Sequence, residues 1–457
     1  MRCGTDSGGK SEGTERWPLD PRPGDLAAKN KTLLSLQVTT ENRIVRLLHT
    51  SDWHLGQTLH NFERTYEHQC FLDWLFVQIE THKVDALLVS GDVFDNANPS
   101  AASQKQFYHF LKDVKKGAPH LEIVLIAGNH DSPGRLEAPS PLLDLFDTVV
   151  VGHVSRDASG EINLERMVVP LKDREGRIAA WCLAIPFLRP GDVPRVETTG
   201  DSYTEGIALL YQRALDLALS RREPGQAIVA LGHCHMVGGQ VTEDSERRIV
   251  IGNAEALSSE IFPEPIAYTA LGHLHRAQQV GNSPLRYSGS PLPMSFSEIS
   301  YPHQVVLVDL NGASIKEITA IPVPRFVKLL RVPEKPASVL DVLAELTSLT
   351  LPDCPTEEHP YLEVCVRLDA PEPGLRSQIE AVLNGKPVRL AKIETSYART
   401  TEGETAAGPV ALDDLGRLQP EDIFKKLYHQ KWGEEVPNPM MRAFAELLHE
   451  PVGGSGL

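Results

Sequence analysis

Residues 44–54 read IVRLLHTSDWH, a run dominated by Ile, Val and Leu that stops in Asp-x-His. Four further stretches repeat the plan: VDALLVSGD (84–92), IVLIAGNHD (123–131), AIVALGHCH (227–235) and IAYTALGHLH (266–275). Each apolar run has the length and composition of a buried strand, and each ends in a cluster of Asp, His, Asn, Ser and Gly. Between the first two runs, 63–83 places Phe71, Leu72, Leu75 and Ile79 at helical spacing. The stretch 103–116 does the same with Phe107, Phe110, Leu111 and Val114. Strand, helix, strand, helix, strand predicts crossover connections and a largely parallel α/β arrangement.

Upstream, residues 1–43 are rich in Gly, Ser, Thr, Pro and charge without periodicity, and read as a flexible extension. The α/β pattern spans 44–320. ITAIPVPRFVKLLRVPEKP (318–336) carries four prolines and marks a boundary. Beyond it, a helix (338–349), a strand (361–368), a helix (373–383) and a strand (388–394) predict a small α/β domain over 321–400. TTEGETAAGPV (400–410) reads as a linker, so that 401–457 is linker plus tail. The tail carries two apolar stripes, one of Ile423, Phe424, Leu427 and Tyr428, the other of Met441, Phe444, Leu447 and Leu448. Such stripes serve either self-packing or docking of a partner.

The chain has 457 residues, 41% apolar and 23% charged, with a formal charge of −16. That composition excludes wholesale disorder, and the acidic balance excludes an autonomous basic nucleic-acid-binding module. Six cysteines lie far apart with no Cys-x-x-Cys pair, which fits neither a disulfide scaffold nor a structural zinc site. No run approaches the ~18 apolar residues of a membrane span, and the N-terminus lacks the apolar core of a signal peptide. A cytoplasmic protein is expected.

The strand ends supply Asp52 and His54, Asp92 and Asp95, Asn129, His130 and Asp131, His233 and His235, and His273 and His275. Residues beyond the carboxyl ends of strands converge although they are far apart in sequence. Side chains two apart on extended backbone point the same way, so Asp52 with His54, and His273 with His275, can each offer two ligands. Turn chemistry explains recurrent Gly, Asp and Asn, but not His beside them. Carboxylate, amide and imidazole without thiolate suit Mn²⁺, Fe or Zn²⁺ rather than a Ca²⁺ cage. Seven or eight ligands suit two ions bridged by a carboxylate. Two ions roughly 3.5–4 Å apart clamp the attacking and leaving oxygens of a displacement at phosphorus. Phosphoester hydrolysis is the expected chemistry.

DxH, GDxxD, GNHD, GH and GHxH, in this order and each after a strand, resemble the calcineurin-like metallophosphoesterase signature. LLHTSDWHLGQTL (47–59), VSGDVFDNANPS (89–100), GNHDSP (128–133), LGHCHMVGG (231–239), YTALGHLHRAQ (268–278) and YSGSPLPMSFSE (287–298) resemble the SbcD nuclease family, from residue 44 to about 450. The resemblance implies a metallophosphoesterase sandwich of two β-sheets flanked by helices, a small α/β capping domain and a C-terminal helical tail. It implies that Asp52, His54, Asp92 and His275 hold one metal ion. Asp92, Asn129, His233 and His273 hold the other, and His130 is the catalytic histidine. The expected ions are Mn²⁺. Asp95 and Asp131 are expected to orient neighbouring groups, and His233 is preferred over His235 as the ligand of its pair. The resemblance further implies ATP-dependent 3′ to 5′ exonuclease action on double-stranded DNA, with endonuclease cutting of single strands and hairpins, in repair, recombination and replication. It implies as partner an SbcC-like coiled-coil ATPase, docked through the tail helices, with the nuclease chain expected as a homodimer within a heterotetramer associated with the nucleoid.

A phosphoesterase acting on small nucleotides or phosphoproteins is the nearest rival. Protein phosphatases of the superfamily carry Arg after the second Asp of the GD motif and GNHE in the third. Here Asn96 follows Asp95, and Asp131 closes the third motif. A scaffold that only tethers an ATPase to DNA is expected to have lost ligands, yet every motif position is filled. Arg135, Arg189, Arg247, Arg248 and Arg276 lie near the motifs and suit either phosphate contact or solvated surface.

Overall fold

A computed structural model describes residues 44–242, 256–281 and 284–397, with Phe424, Lys425, Tyr428, Val436, Pro437, Met440 and Met441 of the tail. The expected extension at 1–43, the linker at 400–410, Arg247 and Arg248 lie outside the described residues. So do most positions of both tail stripes; of these, Phe424, Tyr428 and Met441 are helical. The chain divides into two compact units between Ser396 and Tyr397.

In the first unit, β1 (Ile44–Thr50), β2 (Ala86–Ser90), β3 (Glu122–Ile126) and β4 (Thr148–Val151) lie side by side, each parallel to the next. α1 (Thr65–Thr81) and α2 (Ala101–Gly117) form the first two crossovers. Ser100 caps α2 by accepting from the Ser103 amide, and Lys115 and Lys116 sit at its negative end. A second sheet comprises β5 (Val168–Lys172), β6 (Ile178–Ala184), β7 (Ala227–His233), β8 (Tyr268–Gly272), β9 (Gln278–Val280) and β10 (Leu285–Tyr287). Its order is β9-β10-β8-β7-β6-β5, with parallel pairs at the centre. α3 (Ser202–Arg221) connects β6 to β7, capped by the Asp201 carboxylate. The chain returns through β11 (Gln304–Asn311) and β12 (Ser314–Pro322), which add antiparallel strands and complete the first sheet as β12-β11-β1-β2-β3-β4.

The unbroken apolar runs follow from burial on both faces. Leu47, Ala86, Leu88, Val124 and Ile126 join the core between the sheets. Their neighbours Leu48, Leu87, Val89, Ile123 and Leu125 join Phe71, Leu75, Phe107 and Phe110 under the helices. The sheets are stitched together by side chains near the carboxyl ends of β1 and β2 that reach across to β8. His49 Nδ1 lies 2.9 Å from the Tyr268 hydroxyl, and Ser90 Oγ donates to the Ala270 carbonyl at 3.0 Å. Five strand ends thus meet at one place although three belong to one sheet and two to the other.

Beyond β12, β13 (Leu329–Ala337), α4 (Val339–Ser348), β14 (Tyr361–Leu368), α5 (Leu375–Leu383) and β15 (Arg389–Tyr397) form a three-stranded sheet with two helices and an apolar core of its own. The proline-rich stretch read as a boundary therefore contributes strand at both ends. Pro333 and Pro336 are accommodated because β13 is an edge strand whose register shifts between Val332 and Ala337. Among the described residues, no helix is long and apolar enough to cross a membrane, and Cys70, Cys182, Cys234, Cys354 and Cys365 are free thiols.

Candidate metal centre

The turn after β1 is set by Trp53, a fully buried side chain packed edge-on against Phe71 of α1 and Phe110 of α2, with its indole N–H donating to Thr50 Oγ1 at 3.0 Å. With Trp53 pinned in the helix-side core, its neighbours Asp52 and His54 face the opposite way. Neither is extended: φ is +54° at Asp52 and +46° at His54. Asp92 (+50°) and His273 (+105°) are also left-handed. Left-handed backbone at a residue with a Cβ costs on the order of 1–3 kcal/mol and persists where surrounding structure over-determines it. Asp52 and His54 therefore share a group of ligand atoms, with His275, through strained turns rather than strand alternation.

Backbone bonds lay these turns against one another. Asp52 N donates to Gly91 O and His54 N to Asp92 O, both at 3.0 Å. The glycines permit the approach: a Cβ at Gly128 would run into the Asp92 carboxylate, and one at Gly272 into the Ser90 carbonyl. Asp131 accepts from the amides of Val93, Phe94 and Gly128 at 2.9–3.1 Å, locking the turn after β2 to the turn after β3.

Ligand atoms of Asp52, His54 and His275 fall within 4.8 Å of one another, and so do those of Asp52, Asp92 and His233. His233 Nε2 is 3.4 Å from Asp92 Oδ2 and 3.0 Å from Asn129 Oδ1, while His273 Nδ1 lies 3.2 Å from the same Asn129 oxygen. Asp52 is common to both groups, and Asp92, 3.7 Å from His54 Nε2, forms a third with His54 and His130. All seven sequence-predicted ligands are brought together. His130 stands at the edge, its ring 4.8 Å from that of His54 and its Nδ1 2.7 Å from the Asp95 carbonyl. Asp95 also places a carboxylate oxygen 3.3 Å from His54 Nδ1. His235 is half-buried, its ring 6.4 Å from that of His273. His233 is the member of its pair directed at Asp92.

The electrostatics of this cluster call for cations. Burial, reinforced by the neighbouring Asp92, pushes the Asp52 carboxyl up. Burial works against ionising Asp92 too, but the surrounding imidazoles, His233 foremost, hold it well below the usual carboxylate range. His233 loses charge affinity through burial, yet Asp92 raises it to about 9. Burial and the charge of His233 drive His273 well below its usual value. Burial, then Asp92, pushes Asp131 up to about 6. Among the described residues His54 Nε2 is buried without a hydrogen-bond partner. Two buried carboxylates, an amide oxygen and such an imidazole nitrogen match the donor set of borderline divalent ions.

The residues that hold the ligands carry weaker signals in the sequence. Glu298, fully buried at the end of the YSGSPLPMSFSE stretch, accepts from His275 Nδ1 at 3.0 Å and from the Met294 amide at 2.8 Å. Arg64 and Glu67 form a buried bidentate pair. Arg64 Nη1 donates to the Pro293 carbonyl at 2.7 Å, and Tyr361 of β14 donates to Glu67 at 2.9 Å. Nothing in the sequence separates Arg64 and Glu67 from the surface charges of an ordinary helix start. Of the nearby arginines, Arg276 is bonded to Gln240 and lies over the Tyr301 ring, Arg135 sits on a short exposed helix, and Arg189 lies over Phe187.

A family model described as calcineurin-like phosphoesterase matches residues 45–277, and one described as type 5 capsule protein repressor C-terminal domain, SbcD_C, matches 325–431. The chain is 41% identical over 385 residues to the SbcD subunit of the SbcCD nuclease of Rhodobacter capsulatus, covering 83% of this chain and 93% of that one. It is 30% identical to the same-named protein of Escherichia coli K12 over 90% of this chain and 99% of that one. Identity to the Bacillus subtilis protein of that name is 36%, over 58% of this chain and 66% of the other.

Proposed function

Because the chain belongs to the SbcD family of calcineurin-like phosphoesterases, we propose that it is the nuclease subunit of an SbcCD-type complex, hydrolysing DNA phosphodiesters at a centre of two Mn²⁺ ions. The observation that supports this reading is the meeting of five strand ends around Asp52 and Asp92, with His54 and His275 beside Asp52, His233 beside Asp92, and Asn129 in reach of both His233 and His273. Asp52, His54, Asp92 and His275 would hold one ion, and Asp92, Asn129, His233 and His273 the second. Divalent ions bound there supply Lewis acidity at the phosphoryl oxygens and lower the pKa of water.

The chain's own groups do the rest. His233 donates from Nδ1 to the Ser90 carbonyl at 2.8 Å and His275 from Nδ1 to Glu298, so each turns the lone pair of Nε2 toward the centre. His130 donates from Nδ1 to the Asp95 carbonyl, so its proton exchange with a leaving oxygen runs through Nε2.

The finer activities follow the family: ATP-dependent 3′ to 5′ exonuclease action on duplex ends, and cutting of single strands and hairpins in repair and recombination. An SbcC-like coiled-coil ATPase hydrolyses the ATP. The string GTDSGGKS at 4–11 matches a phosphate-loop spacing, but Pro18, Pro21 and Pro23 follow it where such a loop needs a helix. The charge of −16 favours the same division of labour, since phosphate binding requires cations that this chain has in deficit. The test is Mn²⁺-dependent cleavage of an end-labelled duplex and a hairpin, alone and with the ATPase. Hydrolysis of bis-p-nitrophenyl phosphate without cleavage of DNA under any partner condition refutes the reading. Co-purification with the ATPase, with and without residues 411–457, tests the docking tail.

A further inference from the structure

After β6 the chain runs through IPFLRPGDVPR (185–195). Its start is fixed at the metal centre: Phe187 N donates to the Ala127 carbonyl at 2.8 Å, and the Phe187 ring stands edge-on to His233 with centroids 6.2 Å apart. Arg189 follows, its guanidinium 5.2 Å from the centroid of the Phe187 ring. The far end of the loop walls a cavity of about 530 Å³ together with the 156–162 turn and α3. Arg156 ties the walls together, donating to the carbonyls of Gly160, Gly191 and Val193 at 3.1–3.4 Å. Arg213 of α3 reaches in, 4.0 Å from Glu161, and Arg195 lines the cavity with no hydrogen bond or ion pair among the described residues. Three guanidinium groups thus face one carboxylate, in a chain whose overall balance is strongly acidic.

We propose that this cavity binds backbone phosphates of the DNA strand that runs away from the metal centre. Arg195 and Arg213 are its phosphate contacts, and Arg156 holds its shape. The inference rests on the nuclease reading above. Eight residues separate Phe187 from Arg195, at most about 28 Å of extended chain. At 3.4 Å per step along one strand, that span corresponds to at most about eight nucleotides between a phosphate at the centre and one at the cavity. Planar guanidinium groups pair with phosphate oxygens two at a time, which an ammonium does not. An open cavity lined by an arginine that has no partner among the described residues suits a polyanion.

The test uses the full chain with Mn²⁺, alone or with the ATPase, whichever form cleaves DNA. Arg195→Ala and the double variant Arg195→Ala, Arg213→Ala are compared with the parent over a salt series. One lost phosphate contact lowers the slope of log affinity against log salt by about 0.9, which is about eightfold in KM for duplex at 0.1 M salt. The double variant loses about twice that slope. Turnover of bis-p-nitrophenyl phosphate, too small to reach the cavity, stays at the parent value. Variants whose KM for DNA and salt slope equal the parent's overturn the proposal while leaving the nuclease reading intact. A parent that hydrolyses the small diester and no DNA removes both.

Discussion

Replacing Glu298 separates the groups that bind metal from the group that aims one of them. Its carboxylate is fully buried and accepts two bonds, from His275 Nδ1 at 3.0 Å and from the Met294 amide at 2.8 Å. Glu298→Ala leaves the buried Met294 N–H unsatisfied, at a cost of about 1–3 kcal/mol of stability. It also frees the His275 ring to turn and to change tautomer. Loss of such an orienting partner weakens metal binding by about 10- to 100-fold, or roughly 1.4–2.8 kcal/mol. Glu298→Gln is the sharper variant. If its one amide oxygen serves Met294, the NH₂ faces His275 Nδ1 and favours the tautomer that carries its proton on Nε2. Metal affinity then falls in Glu298→Gln with less loss of stability than in Glu298→Ala. Mn²⁺ titration calorimetry on the chelated full chain reads the affinity, and urea unfolding in chelator reads the stability. Wild-type affinity for both ions in Glu298→Ala would refute the assignment of His275 as a ligand aimed by Glu298.

Four other outcomes are expected. His130→Ala keeps both ions in a metal assay and loses turnover, whereas Asp92→Ala loses metal; equal metal loss in the two variants contradicts the catalytic role of His130. In chelator, stability falls as pH rises. His233 is raised from 6.5 to about 9 by Asp92, so its contribution is complete below pH 6.5 and lost through about 9. Urea midpoints measured from pH 6.5 to 9.5 check this, and a flat profile contradicts it. Ligation needs neutral His233, so Mn²⁺ binding at pH 7 releases protons, read as a dependence of the binding heat on the buffer's ionisation enthalpy. Trp53→Ala costs about 3–5 kcal/mol from its core site and lowers metal affinity by releasing the turn that carries Asp52 and His54; unfolding and metal titration together detect it, and unchanged metal affinity dissociates the two.

The residues that meet at the strand ends were legible because their signal is local. An apolar run ending in Asp-x-His, Gly-Asp or Gly-Asn-His-Asp states both the strand and the side chain at its end, and five such endings in one chain leave little but a metal centre. Helices α1, α2, α4 and α5 were legible for the same reason, since period and caps lie within a few residues of one another. The short strands β4, β5, β9 and β10 carry no such endings, and β13 hides its pairing behind two prolines that only an edge position tolerates.

Distance in sequence set the limit. Glu298 is 23 residues from His275, and Asp131 holds amides 37 and 38 residues away. Arg64, Glu67 and Tyr361 meet across nearly 300 positions. A buried carboxylate is spelled the same as an exposed one, so only packing told them apart. By itself the sequence picked out which side chains would meet at the ends of the strands, because the Asp, His and Asn that close each apolar run are written beside it. The tertiary structure decided how those side chains are aimed: Trp53 anchored in the helix-side core, left-handed backbone at Asp52, His54, Asp92 and His273, and two sheets joined by side-chain bonds to β8. Aim depends on contacts between segments that no local pattern records.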